Sequence, residues 1–157
     1  MKYKDLFNIK NKVSVVTGAA GILGKEFSIA LAANGSHVAL IDIDQKSIAK
    51  IAKSLSKKYN VKSIGYVCDV TNEKSVKDTI THIEKDIGKI DILLNNAATK
   101  TESLKKFFMP LEKYSLDTWK ETMDVNLTGM YIMSKEIGGR MAKRKKGSII
   151  QMSSIYS

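Results

Sequence analysis

Thr17-Gly18-Ala19-Ala20-Gly21-Ile22-Leu23-Gly24 is the stretch on which the reading of this 157-residue chain turns. An apolar run, Val13 to Val16, precedes it, and an apolar-periodic segment, Ile22 to Ala33, follows. The order is strand, glycine-rich turn, helix. A turn of this kind brings backbone N–H groups up to a pyrophosphate with no side chain between, and it aims the positive end of a helix at the charge. Gly18 permits the tight turn, Gly21 the close approach, and Gly24 the contact of helix with sheet. The glycine spacing is wider than G-x-G-x-x-G, and glycines at a strand end also serve as plain turns. A dinucleotide is therefore the first ligand to weigh.

Working outward, the segments alternate. His37–Ile41 reads as a second strand, Lys46–Tyr59 as an amphipathic helix, and Ser63–Cys68 as a third strand. Glu73–Ile87 is a helix closed by Gly88, and Ile90–Leu94 a fourth strand. Asn34-Gly35 stops the first helix, with glycine in a C-cap position. Ser115 begins a long helix running to about Arg144, and Ser148–Met152 is a fifth strand. Short apolar strands alternating with helices predict an α/β fold with a parallel sheet covered on both faces. The one long connection is Thr99–Tyr114, which holds the only proline, Pro110, and the exposed-looking Phe107-Phe108-Met109.

Composition narrows the function classes. The length suits one domain, residues 1–157, and 43% hydrophobic residues are ordinary for a globular chain. No apolar run reaches the length of a bilayer span, so no membrane partner is expected. A single cysteine, Cys68, excludes an internal disulfide and fits a cytoplasmic location. His37 and His82 lack neighbouring ligands, so no metal site is expected. The net charge of +10 comes from lysine, with Arg140 and Arg144 the only arginines. Lysines such as Lys46, Lys50, Lys53 and Lys57 recur on polar helix faces. That pattern is a solvated surface, and no specific nucleic acid is expected.

Asp42 ends the second strand, eighteen residues after Gly24. A carboxylate there accepts hydrogen bonds from an adenosine ribose and repels a 2′-phosphate. Ile43 follows it and nothing basic fills the turn, so NAD is favoured over NADP. The alternative is that Asp42 only opens a turn into Asp44.

At this point the chain resembles the short-chain dehydrogenase/reductases, in order and spacing, from about Lys12 to Ser154. The matching motifs are the Thr-Gly-x-x-x-Gly-x-Gly turn; Cys68-Asp69-Val70; Asn95-Asn96-Ala97-Ala98, with alanine in the last place where the family has glycine; Asn126-Leu127-Thr128-Gly129; and Gly147 through Ser154. The resemblance implies a Rossmann-type doubly wound sheet with strand order 3-2-1-4-5, and hydride transfer between a nicotinamide and a secondary alcohol or carbonyl. It implies that Gly18, Gly21, Ile22, Leu23, Gly24, Asp42, Asp69, Val70, Asn95 and Ala97 line the cofactor site. Asp69 would contact the adenine, Ser154 would polarise the substrate oxygen, and Asn126 would organise a proton-relay water. Taken by themselves, Asn95 and Asn126 also suit polar residues tying down backbone groups, and Ser153-Ser154 a plain turn. Trp119 reads as a packing residue.

The family's acid/base is a tyrosine in a Tyr-x-x-x-Lys pair downstream of the serine, where a lysine ammonium lowers the phenol pKa. Tyr156 lies too close to Ser154 and no lysine follows it. Tyr131-Ile132-Met133-Ser134-Lys135 has the letters but precedes the serine strand, so Tyr131 reads as a helix packing residue and Lys135 as its solvated neighbour. The expectation is the N-terminal portion of a longer, homo-oligomeric enzyme acting on an alcohol, ketone or sugar-like substrate, itself binding NAD without turnover. The competing reading is a non-catalytic dinucleotide-binding or interaction module.

Overall fold

The computed structural model describes residues 7–99 and 104–153. Five parallel strands are β1 (Val13–Thr17), β2 (His37–Asp42), β3 (Ser63–Val67), β4 (Ile92–Asn95) and β5 (Ser148–Gln151). They form one sheet in the order β3-β2-β1-β4-β5, the order expected. β1 pairs with β2 from Val13↔His37 and with β4 from Ser14↔Ile92. Chain order reverses between those two pairings, and in open α/β sheets ligands bind where that reversal leaves a crevice at the strands' carboxyl ends.

The helices are α1 (Ile22–Ala33), α2 (Gln45–Tyr59), α3 (Glu73–Asp86), α4 (Leu104–Phe107), α5 (Leu116–Met123) and α6 (Met130–Lys143). Side chains alternate across each strand, so the sheet builds two cores. Val15, Ile41 and Leu93 face Val76, Ile80 and Ile83 of α3 and Ile132, Met133 and Ile137 of α6. Val16, Val38, Leu40 and Leu94 face Ile48, Ala52 and Leu55 of α2 and Ala32 of α1. Every residue of β1 is buried, Ser14 and Thr17 included, so its sequence lacks the in–out alternation of a half-exposed strand. Among the described residues, no helix is long and apolar enough to cross a membrane.

Local chemistry sets the helix ends. Gly35, at φ +81°, closes α1: its N–H donates to Ala32 O at 2.9 Å and Ser36 N–H to Leu31 O at 3.1 Å, a Schellman arrangement. Asp44, Asn72 and Ser115 cap α2, α3 and α5 by accepting from the N–H three residues on. The Ser47 hydroxyl and N–H on Asp44 hold its carboxyl below the usual carboxylate range. This cap therefore contributes fully above the unfolded pKa of about 3.9, and its contribution is lost as pH falls through the lowered folded value. Asp44→Ala is expected to lower the urea midpoint at neutral pH, and the gap to wild type should close in that acid range.

Several boundaries differ from the sequence reading. β4 starts at Ile92, because Ile90 and Asp91 are occupied in holding neighbours: Asp91 accepts from Val13 N–H at 3.2 Å, and Ile90 O from Arg144 Nη2 at 2.5 Å. The long connection contains α4 and a 3₁₀ turn, Leu111–Lys113. The long helix is not uniform: a π-helical stretch, Asp124–Gly129, joins α5 to α6. Trp119 and Tyr131 are corrections. Both are more than half exposed on this helix rather than packed, since the core stripe runs through Ile132, Met133 and Ile137 instead. The Lys135 ammonium pairs with Glu73 at 3.3 Å and stands 5.9 Å from the Tyr131 ring centre.

Candidate active site

β1 ends at a turn with little room for side chains. Gly18 has φ +63°, and a Cβ there would lie 2.8 Å from Ala97 Cα. A Cβ on Gly24 would overlap the Gly18 carbonyl oxygen and lie 2.8 Å from its carbon, so Gly24 lets α1 sit down on the turn. Gly21 caps α1 without any side-chain bond, whereas α2, α3 and α5 are each capped by a side chain. The N-terminus of α1 thus presents uncapped amides beside a turn of bare backbone, which suits a phosphate.

Thr17 braces this turn against the end of β4. Its buried Oγ1 accepts from Asn96 N–H and from Ala97 N–H, both at 3.0 Å. The Asn96 amide donates back to Thr17 O at 3.0 Å and Gly18 O at 3.2 Å. Thr17→Val keeps the shape and strips both N–H groups of their acceptor. The expected cost is about 2 kcal/mol, read from chemical denaturation.

Asp42 reaches the same turn from β2. Its Oδ2 accepts from Ala20 N–H at 2.9 Å and its Oδ1 from Asp44 N–H at 3.0 Å. A cleft of about 430 Å³ opens beside it, lined by Gly18, Asp42, Asp69, Val70 and Ala97 among the expected residues. Asp69 Oδ1 is engaged by the Thr71 N–H at 2.9 Å and hydroxyl at 2.7 Å, which fixes its carboxylate at the end of β3.

Other expected residues stand off the cleft. Ile22 and Leu23 are exposed in the first turn of α1, and Gly21 is exposed before them. Gly24 is buried behind the turn. Asn95 is buried between β4, β5 and α6, where its amide meets Ser134 and Gln151. Asn126, in the π stretch, brackets Thr99: its Oδ1 accepts from Thr99 N–H at 2.7 Å and its Nδ2 donates to Thr99 O at 3.1 Å. Gly129, in the same stretch, packs against Val70, where a Cβ would meet Cγ2 at 2.6 Å. Ser154 lies outside the described residues, as does Tyr156.

The cleft also takes in residues that sequence reasoning did not assign to a site. Thr71, Ala98, Thr99, Glu121, Asp124 and Val125 line it, the last three from the far wall on the long helix. Asn96 was legible as the second half of an Asn-Asn pair. Glu121 and Asp124 carried no signal, since acidic residues on a helix read as solvated surface.

A family model described as short chain dehydrogenase matches residues 12–157. The chain belongs to the short chain dehydrogenase family. Within it, the chain is 36% identical over 151 residues to the sorbose reductase of Candida albicans, covering 96% of this chain and 52% of that protein. It is 30% identical over 155 residues to the NADP-dependent mannitol dehydrogenase of Alternaria alternata, covering 97% of this chain and 56% of that one. Among solved structures, NAD+-bound xylitol dehydrogenase superposes with a TM-score of 0.82 at 33% identity, over 90% of this chain and 52% of that one. The chain therefore spans about half the length of the dehydrogenases it matches. The strand order β3-β2-β1-β4-β5 agrees with family membership.

Proposed function

We propose that this chain is the cofactor-binding part of an NAD(P)-dependent oxidoreductase that interconverts a polyol or sugar-like alcohol and its carbonyl. The observation that carries the reading is the 2.9 Å bond from Ala20 N–H to Asp42. It puts the Asp42 carboxylate on the rim of the glycine turn, which supports the reading that one adenosine diphosphate moiety spans both. The fit extends to the uncapped N-terminus of α1 and to Gly18 and Gly24, whose places a side chain would fill. When bound, the nicotinamide would accept or supply the hydride.

In this reading Gly18, Gly21, Ile22, Leu23 and Gly24 hold the pyrophosphate, Asp42 the ribose, and Asp69 and Val70 the adenine. Ala97 completes the cofactor wall, and Asn95, buried behind it, supports that wall from β4. Ser154 orients the substrate oxygen and Asn126 a proton-relay water. NAD is the preferred cofactor, because Asp42 stands where a 2′-phosphate would bring a second negative charge. A relative named NADP-dependent makes this preference a matter for measurement. The sugar-like substrate follows from relatives named for sorbose, mannitol and xylitol. We place the protein in the cytoplasm as a homo-oligomer, with residues 1–157 as one Rossmann domain.

Titration of the full-length protein with NADH and NADPH, followed by a polyol and ketose screen, tests the reading. Saturable NADH binding and NAD-linked polyol oxidation are expected. Absence of dinucleotide binding would leave no basis for it. Binding without turnover on any alcohol or carbonyl would favour the non-catalytic module.

A further inference from the structure

Val70 stands between the cleft and the π-helical stretch. It lines the cleft beside Asp69 and Thr71, yet it is only 7% exposed. Away from the cleft it packs on buried Gly129, where a Cβ would lie 2.6 Å from Val70 Cγ2 and 3.2 Å from Val70 Cβ. Both separations are shorter than an ordinary carbon–carbon contact of about 3.5–4.0 Å. The valine has little freedom to yield. Turning χ1 moves Cγ2 but leaves Cβ in place, and a β-branched side chain has few rotamers to turn to. The space that the pair shares with Thr17, Asn95, Met130 and Met133 is too small for a water molecule, so it offers little slack.

Hydrogen bonds hold the parts on either side of this contact. On the valine's side, Asp69 Oδ1 accepts from the Thr71 N–H and hydroxyl, and Asn72 N–H donates to Asp69 O at 3.1 Å. Asp69, Val70 and Thr71 therefore form one braced turn, and a shift of Val70 carries Asp69 with it. On the glycine's side, Asn126 holds the Thr99 N–H and carbonyl at 2.7 and 3.1 Å, which ties the π stretch to the chain leaving β4. Retreat of the helix from Val70 would pull on that clamp. The easier displacement is of Val70 and Asp69, toward the cleft. π turns inside helices are frequent at functional sites, and this one carries both Gly129 and Asn126.

We propose that Gly129 is a positioning residue for the base of the dinucleotide: its missing side chain lets Val70 sit back, and that sets the depth of the adenine end of the cleft. The proposal rests on the reading that this cleft holds NAD(P) with its adenine against Asp69 and Val70. A methyl group at 129 pushes these two residues into the space of the base. The contacts of Gly18 and Gly24 do not include Gly129, so the glycine turn keeps its shape.

Titration of the full-length protein with NADH and with ADP-ribose, which lacks the nicotinamide, tests this. Gly129→Ala is expected to weaken both ligands by the same factor, about tenfold, because the overpacked wall moves on the adenine side. On a polyol that wild type turns over, kcat at saturating NAD stays within about twofold of wild type. Val70→Ala gives the new methyl room, so on that background Gly129→Ala changes either affinity by no more than about twofold. Unchanged affinity in Gly129→Ala overturns the role. So does a loss for NADH that ADP-ribose does not share, a fall in kcat as large as the loss of affinity, or a loss that persists on the Val70→Ala background. If Gly129→Ala does not fold alone, Val70→Ala and the double variant decide. The double variant is expected to bind ADP-ribose as tightly as Val70→Ala or more tightly, since the methyl fills space the valine left, and weaker binding overturns the role. A wild type that binds neither NADH nor ADP-ribose overturns the dinucleotide reading and this role with it. A wild type that binds both, with Gly129→Ala insensitive, overturns this role alone.

Discussion

Gly24→Ala is expected to cost about 3 kcal/mol of stability and to weaken NADH binding by more than tenfold. One methyl group has this effect because of where it would go. The Cβ of residue 24 would overlap the Gly18 carbonyl oxygen and crowd Ala19 Cα at 2.9 Å. These are backbone atoms, so no side chain can swing aside, and overpacking against a fixed partner costs about 1–3 kcal/mol. Relief requires α1 to lift from the turn, and that movement would carry the uncapped amides of its first turn away from any phosphate held there. Urea unfolding and NADH fluorescence titration, read side by side, check both halves. Gly139 is the control: a Cβ there meets nothing within 4 Å, so Gly139→Ala should be tolerated or mildly stabilising in its helix. A Gly24→Ala protein with wild-type stability and affinity would mean that the turn is not packed as described.

Asp42→Ala is expected to raise the NADPH-to-NADH preference by about a hundredfold. Two effects contribute. A carboxylate and a 2′-phosphate about 4 Å apart repel by about 1 kcal/mol in water and about 4 kcal/mol at an effective dielectric of 20, and the variant removes that repulsion. Hydrogen bonds from a ribose to a charged acceptor are worth about 1.5–3 kcal/mol, and the variant gives them up for NADH. The side chain also accepts from Ala20 N–H and Asp44 N–H, so the substitution leaves two amides to find water. Asp42→Asn separates the contributions. It removes the charge and keeps an acceptor for one of the two amides, so it should shift preference with less loss of stability than Asp42→Ala. Equal affinities for the two cofactors in wild type would contradict the assignment of Asp42 to the ribose.

Much of this was readable along the chain, and the reason is that the informative signals are local. Apolar runs of strand length, 3.6-residue stripes such as Ile48, Ala52 and Leu55, and caps at Gly35 and Ser115 depend on neighbours within a turn or two. They placed five strands and the main helices to within a few residues. The π stretch at Asp124–Gly129 left no mark, because a wider turn has the same composition as the helix around it; within it Gly129 packs on Val70 and Asn126 bonds Thr99, partners far off in the chain. Trp119 and Tyr131 misled for a related reason. Large aromatic residues usually pack, but the rotation of the helix that decides which face is covered is set by the sheet beneath it.

The sequence by itself determined the fold class, the strand order through family resemblance, and the glycine turn from Gly18 to Gly24 between the first strand and its helix. Each is written in spacing or in residues that only a particular backbone conformation admits. Only the tertiary structure decided that Asp42 bonds to that turn, that Glu121 and Asp124 form the opposite wall of the cleft, and that Asn95 faces Gln151 and Ser134 and stands off the cleft. Those relations join residues up to a hundred positions apart, and they exist only because a parallel sheet brings its strand ends to one edge.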